Sequence, residues 1–295
     1  MKPPVDQKKA YLFGLATVLL WSTVASAFKI SLRYLDHIQL LLYDTLFSIL
    51  ILSAILAVQG RFGALFGFTR RQYLQSVAFG FLNPFLYYLI LFKAYDLLPA
   101  QEAQPLNYTW AITLALLSIP LLGQKLSSGD VIGALVSYAG VVVISTRGDL
   151  AGFQFSNPAG VALALASTIV WALYWIYNTK DDRDPVPGLL MNFICGFPFV
   201  LAACLIFSDL WPDRPAGLLG AAYVGFFEMG VTFVLWLNAL RLSVNTAKVG
   251  NLIFISPFLS LVFIRFLVGE IVFPSTYVGL VLIIAGLVVQ RVRKV

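Results

Sequence analysis

Residues 38–58 read IQLLLYDTLFSILILSAILAV, and this stretch decides the class of fold. It holds a single charge, Asp44, in 21 residues. A helix needs about 20 such residues to cross a bilayer. A helix on the surface of a soluble domain would instead place polar residues on one face. Outward from here the same character recurs, as in the uncharged STYVGLVLIIAGLVV at 275–289. The 295 residues are 60% hydrophobic and 12% charged, with a mean hydropathy of +0.87. Soluble domains carry about 25% charged residues. Lipid is therefore the expected solvent, and an all-α integral membrane protein the expected fold.

Ten transmembrane helices are expected, at 10–31, 38–59, 73–96, 99–120, 127–145, 156–179, 188–208, 216–241, 244–267 and 275–291. Charged turns separate them, among them Arg70-Arg71, RGD at 147–149 and KDDRD at 180–184. With the N-terminus inside, inner segments hold thirteen lysines and arginines, Lys8, Lys9, Arg61, Arg70 and Arg71 among them. Outer segments hold four, Lys29, Arg33, Arg147 and Arg214. That bias predicts cytoplasmic N- and C-termini. The first apolar run has no small-residue cleavage site and continues for a full span, so it reads as an uncleaved helix. Cys195 and Cys204, nine residues apart in one apolar run, read as inert thiols rather than a disulfide.

The chain repeats itself. LLGQKLSSGDVIGALVSYAGVVVIS (121–145) matches LVGEIVFPSTYVGLVLIIAGLVVQR (267–291), with Gly123, Gly133 and Gly140 against Gly269, Gly279 and Gly286 at one offset. GFLN (80–83) matches GFFE (225–228), LLYD (41–44) matches LLMN (189–192), and Trp21 matches Trp171. Residues 1–148 and 149–295 thus read as two five-helix repeats. An odd number of spans per repeat turns the second one over in the membrane, the plan that builds two mirrored states in secondary transporters. Plain helix packing also favours small residues at this spacing.

The ten spans, the Gly269-Glu270 pair (Gly123-Gln124 in the first half) and the glycine-spaced last span of each half resemble the drug/metabolite transporter superfamily, in its EamA-type branch. The resemblance covers essentially the whole chain. EAQPLNYTW (102–110) is similar, in its Asn-Tyr-x-Trp element, to the aromatic amino acid exporters of that branch. It implies export of aromatic and other neutral amino acids, with cationic drugs as further candidates, in a bacterial cytoplasmic membrane and without a cofactor. One departure is local: relatives carry an arginine in the second span where this chain has Asp44.

Polar groups at membrane depth mark candidate sites. Glu228 falls near the middle of span 8, and its repeat mate Asn83 near the middle of span 3, just before Pro84. Proline removes a backbone donor, and freed backbone at that depth is tolerated where it lines water or protein. Asn83 and Glu228 are expected to line a substrate cavity, or else to glue helices together. Aromatic residues fall at similar depth: Trp21 beside Ser22, Tyr87, Tyr108 and Trp110 near Asn107, and Trp171 with Tyr174 and Trp175 on one face of span 6. An aromatic-lined cavity for a planar solute and ordinary packing are both open readings. Gln101, Glu102 and Gln104 would form a polar outer mouth, with Pro105 bending the helix head; Lys248 holds the matching place in the other half. Pro84, Pro105 and Pro257 would supply bending points for gating, with Glu102, Glu228 and Lys248 in coupling or gating roles. Lys29 either pairs with Asp44 or reaches to the surface, the latter being the default.

Other chemistry is not written here. There is no phosphate-binding G-x-x-x-x-G-K-[ST] loop, no H-E-x-x-H and only one histidine, so neither ATP hydrolysis by that route nor a metal site is expected. Basic residues do not cluster with aromatic ones on a polar face, so nucleic acid is not an expected partner. DDRDP (181–185) lacks the aspartate that a prenyltransferase-type motif needs at Pro185, and reads as a solvated turn. The expectation is a carrier, not an enzyme, acting as a monomer on a small-molecule substrate. A carrier for a nucleotide sugar or quaternary amine, or a non-transporting structural subunit, stands as the alternative.

Overall fold

The computed structural model describes residues 6–123, 128–152, 155–178, 180–244, 249 and 251–292. Among these residues the regular structure is helical, with no strand. We number thirteen α-helices: α1 (Gln7–Ser31), α2 (His37–Val58), α3 (Arg70–Gly80), α4 (Tyr87–Leu97), α5 (Ala100–Tyr108), α6 (Trp110–Leu122), α7 (Ser128–Ser145), α8 (Pro158–Asn178), α9 (Pro185–Phe207), α10 (Gly217–Tyr223), α11 (Val231–Leu242), α12 (Ser256–Phe263) and α13 (Pro274–Val292). Eight helical stretches, from Gln7–Ser31 to Gly217–Leu240, are long and apolar enough to cross a membrane. Leu252–Val268 and Pro274–Val289 are shorter apolar helices. They occupy the ninth and tenth expected spans, and the start of the ninth lies outside the described residues.

Local sequence sets the helix ends. The Asp36 carboxylate accepts from the Ile38 and Gln39 amides while the Gln39 side chain reaches back, a reciprocal cap that starts α2. Thr69 and Gln72 do the same for α3. Asp184 caps α9, with Pro185 at its first position. The helix α5 begins after Pro99, which has no side chain to cap it. Its first amides, Ala100 and Gln101, donate instead to the two carboxylate oxygens of Glu270, at 2.8 and 3.2 Å. A carboxylate at a helix N-terminus also opposes the helix dipole favourably.

Three helices are interrupted by π-helical segments, at Phe81–Leu86, Val224–Glu228 and Ile264–Val268. The first contains Asn83 in an extended conformation (φ −146°, ψ 115°) followed by Pro84. Such widened turns take backbone groups out of the regular ladder, which is a recurring feature of functional sites.

The chain divides into two compact units. The first comprises residues 1–85 and 182–268, the second 86–181 and 269–295. Each unit therefore draws on both halves of the sequence. In the first unit, α1 packs against α10, α11 and α12, while α9 contacts both α2 and α3, and α2 also contacts α10 and the π segment at 224–228. In the second, α8 packs against α4, α5 and α6, and α7 lies along α13. The α7–α13 contact is backbone to backbone: a Cβ on Gly140 would fall 2.5 Å from the Gly279 carbonyl oxygen, and one on Gly286 2.4 Å from that of Gly133. Small residues permit this approach in a medium where apolar burial alone drives little association.

Candidate functional site

In the first unit two helix crossings share one construction. At the first, α3 meets α9 at Gly80, where a Cβ would stand 2.3 Å from the Asn192 carbonyl oxygen and 2.6 Å from the Gly196 nitrogen. The chain breaks three residues later at Asn83. Asn83 is completely buried, and neither its side-chain oxygen nor its nitrogen has a hydrogen-bond partner among the described residues. Leaving such a group unpaired costs about 1–3 kcal/mol. At the second crossing, α10 and its π segment meet α2 at Gly225, where a Cβ would stand 2.5 Å from the Asp44 carbonyl oxygen and 3.0 Å from the Ser48 nitrogen. Three residues on is Glu228, followed by the helix break at Gly230. The Ser48 hydroxyl bridges the two backbones, reaching the carbonyls of Asp44 (2.7 Å) and Gly225 (3.0 Å).

Asp44 is itself completely buried. Its Oδ1 accepts a long 3.4 Å contact from the Thr45 hydroxyl, and its Oδ2 has no hydrogen-bond partner among the described residues. Thr45, and not Lys29, is thus what meets this carboxyl, so the pairing of Lys29 with Asp44 is not formed. Asn192, by contrast, accepts a 3.1 Å hydrogen bond from Arg183. Arg183 is only 7% exposed and also donates to the Ser76 hydroxyl and the Gln72 carbonyl, with the rings of Phe68 and Phe79 at 5.3 and 5.8 Å. The reading of DDRDP as a solvated turn is corrected here: its arginine is a buried tie from α9's head to α3, and Asp184 beside it pairs with Arg61.

Trp21 lies in the first unit with its ring against Phe233 (5.9 Å, edge-on) and Trp236 (5.6 Å), its indole N–H unpartnered. The next residue, Ser22, is buried and bonded to Ser256, and its carbonyl accepts from Ser260, one turn past Pro257 near the start of α12.

The second unit holds the other aromatic cluster. Tyr87 stacks on Trp171 (4.4 Å, 24°), Tyr174 lies nearly parallel to Trp171 at 5.5 Å, and Trp175 stands edge-on to it at 5.7 Å. A polar chain runs beside them: the Tyr87 hydroxyl donates to Asn107 Oδ1 (3.3 Å), and Asn107 donates to Ser167 (3.0 Å). Tyr108 and Trp110 follow at the α5–α6 junction, half-buried, and Pro105 sits inside α5. The Trp175 N–H has no partner. Trp171, expected to offer a face to a solute, is 8% exposed, its ring packed among those of its neighbours.

The expected polar mouth is built differently from the expectation. Glu102 is fully buried, accepting from Arg147 at 2.9 Å and from Ser156. Gln101 spans to the Ile271 carbonyl and accepts from the Phe273 amide and the Thr276 hydroxyl. These side chains anchor α5 within its unit. Lys248 lies outside the described residues. Among the described residues no cluster of histidine, cysteine and acidic side chains could hold a metal ion. Cys195 and Cys204 are free thiols.

The model of the EamA-like transporter family matches residues 8–146 and again 158–291. The chain belongs to the EamA-like transporter family. It is an integral membrane transporter and not an enzyme. An aromatic amino acid exporter YddG from Ancylobacter novellus is 26% identical over 242 residues, 79% of each chain. An uncharacterized transporter from Archaeoglobus fulgidus is 23% identical across 97% of this chain and 98% of its own. A solved crystal structure superposes with a TM-score of 0.69 at 22% identity, covering 97% of this chain and 98% of that one, which establishes the likeness of fold.

The sequence sets Asn83 against Glu228 as repeat mates and places Trp171 with Trp175 on one helix face; the ring contact of Trp171 with Trp175 is present at 5.7 Å. Sequence reasoning leaves Asn192 and Ser167 unassigned, reads Arg183 as part of a solvated turn and offers Asp44 only as a candidate partner of Lys29. The signal for two of these was present: LLYD against LLMN sets Asp44 and Asn192 at equivalent positions. No local pattern marks Arg183, whose partners Ser76 and Gln72 are 107 and 111 residues away.

Proposed function

We propose that this EamA-family transporter exports aromatic and other neutral amino acids across a bacterial cytoplasmic membrane by alternating access, as a monomer. The observation that carries the reading is Asn83. A completely buried amide with both polar atoms unpaired among the described residues, at a break in a membrane helix, suits a polar group of a transported solute. The carboxylate and ammonium of an amino acid fit an amide that can both donate and accept. Trp21 and Ser22 of the first unit would offer an aromatic face and a hydroxyl to such a solute; by itself the second unit groups Tyr87, Asn107, Tyr108, Trp110, Trp171 and Trp175, an aromatic and polar set of the same chemical kind. Glu228 suits an ammonium. The exporter with 26% identity supports the same substrate class.

The scaffold we propose has ten helices in two inverted repeats, 1–148 and 149–295, with both termini cytoplasmic. Two facts support it. The family model matches once in each half. The contact of Gly80 with Asn192 and Gly196 has its counterpart in that of Gly225 with Asp44 and Ser48, as the internal alignment requires. Pro84, Pro105 and Pro257 are the proposed bending points, and the Glu102–Arg147 pair, with Lys248, the proposed gating charges.

The test is counterflow of labelled phenylalanine, tryptophan and threonine in proteoliposomes at equal pH on both sides. Saturable exchange is expected in the wild type. Asn83→Leu should weaken it by roughly 10- to 100-fold, the equivalent of one or two lost hydrogen bonds to a charged group. No exchange of any amino acid by folded, inserted protein overturns the substrate assignment.

A further inference from the structure

The two crossings of the first unit differ in one chemical respect. The α3–α9 crossing carries two amides, Asn83 and Asn192. The α2–α10 crossing carries, at the equivalent positions, two carboxyls, Glu228 and Asp44. Arg183 serves Asn192, while no cation pairs with Asp44 among the described residues. The elements packed against α2 bring few ionisable groups: Cys195 and Cys204 from α9, Tyr223 from α10 and Glu228 from the π segment, with none from the 3-10 turn at 62–67. On α2 itself are His37 and Tyr43. The Tyr223 hydroxyl is engaged with Thr23, and the charge that acts on Asp44 is that of Glu228.

We propose that Asp44 is the proton-binding residue of this transporter, exchanging its proton when the α2–α10 crossing opens, so that export of the amino acid is driven by inward proton flow. The inference deepens the transport reading above and rests on it for the cargo. The Glu228 charge lies within electrostatic reach of Asp44, and like charges so placed disfavour each other's ionisation. Asp44 has the less favourable place for a negative charge: it is completely buried where Glu228 is half-buried, and Thr45 alone meets its carboxyl among the described residues. An ionised carboxylate so placed would be very costly, whereas a neutral acid is not. The proton's path to and from Oδ2 requires movement, and the adjoining structure is suited to it. The Ser48 hydroxyl bridges the two backbones at the crossing, which lies in a π segment and is followed by the break at Gly230.

The experiment uses the full chain in vesicles holding a pH-sensitive dye. In the wild type an imposed pH gradient should drive phenylalanine accumulation, with matching proton flux. Asp44→Asn should lose both while keeping exchange at equal pH. Wild-type transport indifferent to the pH gradient, or driven by sodium instead, overturns the proposal. So does loss of the pH response in Glu228→Gln with its retention in Asp44→Asn. Should Asp44→Asn fail to insert, infrared spectroscopy decides. A protonated-carboxyl band that persists in Glu228→Gln and titrates with pH supports Asp44, and its absence overturns the assignment. Because that band needs no substrate, failure of every amino acid in the exchange assay with the band intact would retire the cargo and leave the proton site.

Discussion

The α3–α9 and α2–α10 crossings pose the same backbone problem and answer it with different side chains. In both, a glycine lets two membrane helices touch backbone to backbone, and a polar residue follows three positions later at a helix break. One is furnished with amides and fastened by a buried arginine; the other has acids and a serine. Geometry is therefore set by the glycines, which the two crossings share, and chemistry by the polar positions in which they differ. Amides recognise without changing charge; carboxyls can exchange a proton.

Removing the fastening should have the largest effect. Arg183→Ala strips hydrogen bonds from Asn192, Ser76 and the Gln72 carbonyl, leaving buried acceptors unmet, and should lower stability by about 2–3 kcal/mol. Thermal unfolding in detergent measures it, with no comparable loss expected from any single change at Ser48. Next come the glycines. Gly80→Ala and Gly225→Ala each force a Cβ against backbone, where no rotamer can give way, and each should cost about 1–3 kcal/mol. Near equality of the two losses would sharpen the equivalence of the crossings; a harmless Gly225→Ala would break it. The smallest effect is expected from placing an acid in the amide crossing. Asn192→Asp gains Arg183 as a counter-ion, so stability should change by less than about 1 kcal/mol and no new pH dependence of transport should appear. A new pH dependence there would mean that the acids, wherever they sit, suffice.

The apolar membrane helices were legible because they are written in runs of bilayer length, and the proposed repeat rests on glycines at a constant offset. Asn83 and Glu228 were legible as unusual residues at depth, but their helix breaks were not, since only Pro84 marks one in the sequence. Asp44 stood out as a departure from the resemblance, yet the sequence does not write that no cation pairs with it among the described residues, since Lys29 stood as a candidate partner. Arg183 was hidden by its neighbours: amid Lys180, Asp181, Asp182 and Asp184 it looks like one more solvated charge. Glu102 and Gln101 were placed at a helix head correctly, while their partners, 45 to 175 residues away, lay beyond any local pattern. Likewise, repeats found in sequence did not disclose packing units that each take segments from both repeats.

The cap that Glu270 places on Ala100 and Gln101 bears on how the protein is made. As the chain emerges from the ribosome, α5 enters the membrane with its first amides unmet, and they stay so until 170 further residues have been synthesised. The second unit also waits for its final helix, Pro274–Val292, before α7 has its glycine-lined neighbour. Insertion of the early helices must then precede their packing by most of the translation time. A polypeptide cut short near residue 148 would hold the first half of the sequence and neither finished unit, a natural substrate for membrane quality control.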